Sequence, residues 1–299
     1  MIRFSHHRTI RESLQEYGRG IAGGLMFSLP LLYTMEVWWS GFMLHPWRII
    51  AYVLATFAIL LFYNRFAGLR RDATLREVAI DSVEEMGIGL VLATTILFLT
   101  NRLDWEGDHL GAVGKIAMEA MTVAIGVSVG TAQLGASDNG DCGVSGEDDT
   151  DHKPDSYLPQ SALALCGAVL FAANVAPTDE VSVIAMESPS WKLLLIALFS
   201  MLVAMLILFF AEFRGSGAHV ARGSFVLGIR GVLTTYGISL GSAAALLWFF
   251  GKMDGEPLSQ CIAQTVVLGL PAVLGASAGR LLLQGGQGEN SSEPKPSQA

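Results

Sequence analysis

Hydrophobic residues gather into eight long runs: Gly20–Met43, Ile49–Phe66, Val78–Thr100, Ala112–Leu134, Leu158–Ala176 with a continuation to Met186, Leu193–Phe213, Phe225–Phe250 and Leu258–Leu283. A run of about 20 apolar residues is enough to cross a bilayer as a helix. Lipid offers the backbone no hydrogen bonds, so such runs must be helical, and a barrel would instead alternate over segments of about ten residues. The pattern predicts an all-α membrane protein with eight transmembrane helices. The first run carries Glu36 and ends without a small-residue cleavage site, so it reads as a retained span and not a signal peptide.

The two halves of the pattern resemble each other. Gly23 to Val37 (GGLMFSLPLLYTMEV) and Gly167 to Val181 (GAVLFAANVAPTDEV) share Gly23/Gly167, Phe27/Phe171, Thr34/Thr178, Glu36/Glu180 and Val37/Val181 at one offset, and Trp47 falls on Trp191 in the same register. Further on, Gly87-Ile88 matches Gly237-Ile238 and Asp104 matches Asp254. Leu and Ala matches are cheap in apolar helices, whereas the Thr-x-Glu-Val, Trp and Asp matches are not. Four helices per copy leave both copies in one orientation, so the expected organisation is two parallel four-helix repeats. The chain divides into an N-terminal segment (1–18), repeat one (19–135), an acidic linker (136–157), repeat two (158–284) and a Gly, Ser, Pro and Glu tail (285–299) expected to be disordered.

Charge sets the orientation. With the N-terminus inside, 14 of the Lys and Arg residues fall on the inner side and 5 on the outer. That predicts a multi-pass protein of the bacterial inner membrane with both termini cytoplasmic. The linker holds Asp138, Asp141, Glu147, Asp148, Asp149, Asp151 and Asp155. It reads as a solvated connection or as a weak cation-sensing loop, and its spacing does not fit an EF-hand.

Composition narrows the function. Only 15% of residues are charged and the net charge is −8, which excludes a basic nucleic-acid face. Three cysteines make no disulfide framework; Cys166 and Cys261 read as small packing residues, and Cys142 has no neighbour to pair with. All six histidines fall in predicted tails or loops, and no His-Glu-x-x-His, Gly-x-Ser-x-Gly or Walker pattern occurs, so no enzyme and no covalently bound cofactor are predicted. The Gly-rich stretch Gly228–Gly241 reads as close helix packing. The tryptophans Trp38, Trp39, Trp47, Trp105, Trp191 and Trp248 read as interface anchors.

Acids inside the spans carry the candidate chemistry, because a charge at mid-bilayer costs roughly 2.5–3.5 kcal/mol on insertion scales. Glu36 lies deep in the first run, and Asp179 and Glu180 hold the matching place in the fifth. Pro177 removes a donor and should break that helix, freeing carbonyls to line a cavity. Thr34 and Thr178 add hydroxyls, and Glu119 reaches a similar depth, with Gln264 as its counterpart. Near the inner end of the third run, Glu77, Asp81 and Glu84 share one helix face, with Glu85 beside them. The alternatives are structural: inter-helix hydrogen bonds for Glu36, Glu180 and Glu119, an N-cap for Asp179, and a polar helix start for the span-three acids.

The segments TMEVWW (Thr34–Trp39), EEMGIG (Glu84–Gly89) and APTDEV (Ala176–Val181) resemble a bacterial family of eight-helix integral membrane proteins of unknown function, over most of residues 15–285. The resemblance implies the fold and no activity.

The expectation is a cation-translocating protein, a channel or a proton-coupled carrier, with its site between the repeats. Glu36, Asp179 and Glu180 are the candidate metal ligands, Ca²⁺ first; Glu119, Thr34 and Thr178 complete the site, and Asp81, Glu84 and Glu85 line the inner exit. Its partners are the bilayer, inorganic cations and protons, with a second copy of the chain left open. The competing expectation is a non-transporting sensor or partner subunit regulated through the linker. A lipid-directed enzyme is the weakest reading.

Overall fold

The computed structural model describes residues 10–67, 74–103, 109–135, 157–215 and 224–285. The acidic linker up to residue 156, Cys142, Asp104, Trp105, the first nine residues and the tail from 286 lie outside them.

The described residues form the helices α1 (Ile10–Leu32), α2 (Met35–Met43), α3 (Pro46–Phe66), α4 (Leu75–Leu99), α5 (His109–Gly135), α6 (Tyr157–Ala173), α7 (Glu180–Glu187), α8 (Ser190–Gly215), α9 (Ser224–Phe249) and α10 (Leu258–Gly285). Six stretches are long and apolar enough to cross a membrane: Pro46–Phe66, Leu75–Leu99, His109–Ala132, Ser190–Leu208, Ile229–Phe249 and Leu258–Gly279. Leu158–Ala173 is a shorter apolar helix.

The first hydrophobic run is not one helix. Thr34 is extended (φ −89°, ψ 111°) and separates α1 from α2. The run therefore breaks two residues before Glu36, at an N-cap that makes no side-chain capping bond. The fifth run breaks over Asn174–Asp179, around Pro177, as the sequence predicts. The short pieces α2 and α7, of 9 and 8 residues, reach about 12–14 Å, less than half a bilayer core.

Local signals set the other helix starts. Pro46 at the first position suits α3, whose N-cap His45 accepts from the Trp47 N–H. Thr74 and Glu77 form a reciprocal capping box on α4, so Glu77 serves the helix start.

Helix α5 is the hub: most of its apolar stretch is buried, whereas most of α8 is not. Large side chains of α8, including Leu194, Leu198, Phe199 and Leu202, face outward, where lipid would solvate them. Glycines let backbones touch. A Cβ on Gly23 of α1 would lie 2.3 Å from Gly130 Cα on α5, and one on Gly167 of α6 would lie 2.1 Å from the Gly275 carbonyl on α10. Gly41 of α2 meets Gly114 and Lys115 of α5 in the same way. By contrast, Gly237 and Gly241 of α9 have nothing within 4 Å of an added Cβ. The close packing expected of that stretch is absent at those two positions, because they face outward. One core joins the chain halves, with Met121 and Val127 of α5, Ala168 and Ala172 of α6, and Leu246 and Leu247 of α9 in a single buried cluster.

Candidate functional site

Two buried carboxyls lie in the packing around α5: Glu119 of α5, near α2 and α3, and Glu85 of α4, near α3 and α5. Glu119, on α5, has no exposed surface, and neither carboxyl oxygen has a hydrogen-bond partner. The Trp38 indole approaches it from α2 but falls outside hydrogen-bond geometry. Beside it, Tyr52 Oη of α3 and Thr122 Oγ1 of α5 form a 2.9 Å hydrogen bond, and the Tyr52 ring stacks on Phe249 at 4.3 Å. On α5, Gly114 is against α2 at Gly41, and Gly130 is against α1 at Gly23. Glu119 lies between these two contacts, level with the break that separates α1 from α2. The same reasoning places Gln264 level with the α6–α7 break. Gln260 Nε2 reaches the Ser182 carbonyl on α7 at 3.4 Å, and Gly275 touches Gly167 on α6. Gln264 is also buried, and its Oε1 has no partner.

Glu85 of α4 is 9% exposed and has company. Asn64 Nδ2 of α3 donates to Glu85 Oε2 at 2.8 Å and to Ser82 Oγ at 3.1 Å. Ser128 Oγ of α5 donates to Asn64 Oδ1 at 2.9 Å, and Ser82 Oγ donates to the Val78 carbonyl at 2.8 Å. Three helices thus share one network. Between the two acids, Leu60, Ala124 and Ile125 are completely buried.

The other residues singled out in the sequence lie elsewhere. Glu36 and Glu180 sit in the first turns of α2 and α7, where unpaired N–H groups favour an acid. Thr34 is the N-cap of α2, and the Thr178 hydroxyl bonds back to the Val175 carbonyl. Asp179, at the N-cap of α7, makes a 2.7 Å ion pair with Lys252 while its side chain stays 88% exposed. Among the described residues no group of three or more His, Cys, Asp or Glu side chains is placed to hold a metal ion. Glu84 is exposed and takes a hydrogen bond from the Tyr17 hydroxyl of α1; Asp81 is half-buried. Cys166 is buried among apolar residues, and Cys261 is half-buried.

Trp39, Trp47, Trp191 and Trp248 are exposed, but Trp38 is 8% exposed. It packs inward, with the Arg102 guanidinium 4.5 Å over its ring, and is no interface anchor. Two neighbouring residues on a helix point about 100° apart, so Trp39 can face outward while Trp38 packs inward. Asn64 and Ser128 drew no attention in the sequence, although a lone Asn near the end of an apolar run is a signal of the right kind.

Long outward-facing apolar helices around a glycine-packed hub, with carboxyls buried at depth, define a polytopic α-helical integral membrane protein. Residues 16–283 match the family described as "Putative integral membrane protein (DUF2391)", and the chain belongs to that family. No curated protein and no solved structure matches it.

Proposed function

We propose that the protein is a proton-coupled cation carrier whose working acids are Glu119 and Glu85, on eight crossings built as two parallel repeats. Six crossings are the long apolar helices, and two are composites, α1 with α2 and α6 with α7. What supports the repeat is the shared order of helices in the two halves and the matching glycine contacts at Gly23–Gly130 and Gly167–Gly275.

The observation that carries the reading is Glu119. A carboxylate without partners in a dry site costs several kcal/mol, so it must be held neutral or neutralised by a cation. A broken helix at the same level brings backbone groups that no longer complete helical bonds. Among the described residues no further acids gather with Glu119 into a metal-holding group, so we take its cargo to be the proton. Leu60, Ala124 and Ile125 close the way from this level to Glu85. A dry stretch of this kind stops a water file, which favours a carrier over an open channel. Calcium falls behind, because Ca²⁺ takes six to eight oxygens, usually with several carboxylates.

The test is proton flux into proteoliposomes, read with an internal pH-sensitive dye. Glu119→Gln should lower flux at least tenfold, whereas Glu36→Gln and Glu180→Gln should keep most of it. Wild-type flux in Glu119→Gln would remove the assignment.

A further inference from the structure

We infer that Asn64, Ser82 and Glu85, with Ser128 behind them, form a binding site for one monovalent metal cation, sodium before potassium. The site differs from Glu119 in chemistry. Neither Glu119 oxygen has a hydrogen-bond partner, whereas Glu85 Oε2 accepts from the Asn64 amide of α3, and the same amide nitrogen donates to Ser82 Oγ of α4.

The Asn64 amide touches both other groups through one atom, Nδ2, at 2.8 Å from Glu85 Oε2 and 3.1 Å from Ser82 Oγ. A half-turn of the amide exchanges Nδ2 for Oδ1. Oδ1 then stands where Nδ2 stood, next to the Glu85 carboxylate at 2.8 Å and the Ser82 hydroxyl at 3.1 Å. Oxygens that face one another without a proton between them repel, and a hard cation among them relieves that repulsion. Ser128 permits the turn in either sense. Its hydroxyl donates to Oδ1 at 2.9 Å in the structure, and it can accept from Nδ2 after the half-turn. Ser128 is therefore a positioning residue, which holds the amide in either orientation.

Charge selects the ion. One carboxyl reaches the site, which balances a single positive charge. Neither ion pair seen among the described residues, Arg48–Asp254 or Lys252–Asp179, supplies a cation to it. Asp81 and Glu84 stand close enough for their charges to act on Glu85. They give the approach from that end of α4 a negative potential, which raises the local cation concentration. Three oxygens are too few to strip an ion fully, so it keeps part of its water. A divalent ion would need further carboxylates in the site itself.

The binding claim does not depend on translocation. Linked to the carrier reading, it makes sodium the ion coupled to the proton at Glu119. The experiment is equilibrium binding of radioactive sodium to the full chain purified in detergent, each variant first shown to be monodisperse. Wild type should bind about one sodium per chain, displaced by excess sodium and poorly by potassium, and not by calcium at equal ionic strength. Glu85→Gln and Asn64→Leu should weaken binding at least tenfold, and the milder Ser128→Ala several-fold. Gly237→Ala, on the outer face of α9, should bind like wild type. No saturable binding to wild type, or undiminished binding to Glu85→Gln, would overturn the site. Because the assay reads no flux, failure here is separate from failure of the carrier reading.

Discussion

Alanine at Gly167 should destabilise the protein, and alanine at Gly237 should not. The new methyl carbon at 167 would lie 2.1 Å from the Gly275 carbonyl oxygen, whereas ordinary contact begins at 3.4 Å. Helices α6 and α10 would have to part by about 1.3 Å along their closest seam, because the obstacle is backbone and has no rotamer to yield. Overpacking of this kind costs about 1–3 kcal/mol. At Gly237 the added carbon meets nothing within 4 Å. The change there removes a flexible residue from a helix interior and gains up to about 1 kcal/mol. The assay is thermal denaturation in detergent followed by fluorescence-detected gel filtration. Gly167→Ala should melt several degrees below wild type, and Gly237→Ala at or above it. The double variant Gly167→Ala/Gly275→Ala should cost less than the sum of the single changes, since both strain the same seam. Equal melting of Gly167→Ala and Gly237→Ala would refute the claim that these glycines set the distance between helices.

Three further outcomes follow from the polar contacts. Asn64→Leu strands the Ser128 hydroxyl and the Glu85 carboxyl, and should cost about 1–3 kcal/mol in the same melting assay, whereas Asn64→Gln should recover part of it. Arg48→Ala should cost more than Asp254→Ala. The ion pair is 2.7 Å long but Asp254 is 56% exposed, so a double-mutant cycle should return about 1 kcal/mol or less, while Arg48 also packs over Trp47 and Trp248. Trp38→Ala should open a path to Glu119, seen by mass spectrometry as faster labelling of that residue by a water-soluble carbodiimide; unchanged labelling would show that Trp38 does not cover it.

Much of the fold is legible from hydropathy alone, because a bilayer enforces helices of a known length. The Pro177 break is legible too, since proline removes a specific hydrogen bond. The break at Thr34 is hidden inside an unbroken apolar run. That changes the meaning of the repeated Thr-x-Glu-Val segments: their acids stand at helix starts, where exposed N–H groups favour them. Glu119 and Glu85 are visible in the sequence as acids, but what distinguishes them is not. Glu84 and Glu85 are adjacent, yet one is exposed and the other buried, and only the packing of α4 on α3 and α5 decides which. Asn64 and Ser128 belong to the site through contacts 64 residues apart in the chain, which no local pattern reports.

The depth of Glu119 has an electrical consequence. It lies ten residues into α5, a helix of 27, so about 15 Å along a path of about 40 Å. A proton that reaches it from the His109 end has crossed roughly 0.4 of the membrane field. At about 2.3 kcal/mol per charge per 100 mV, occupancy of that carboxyl shifts by nearly 1 kcal/mol, or about fivefold, for each 100 mV across the bilayer. On the proposed carrier reading, loading the site would itself be a voltage-dependent step, before any proton has completed the crossing.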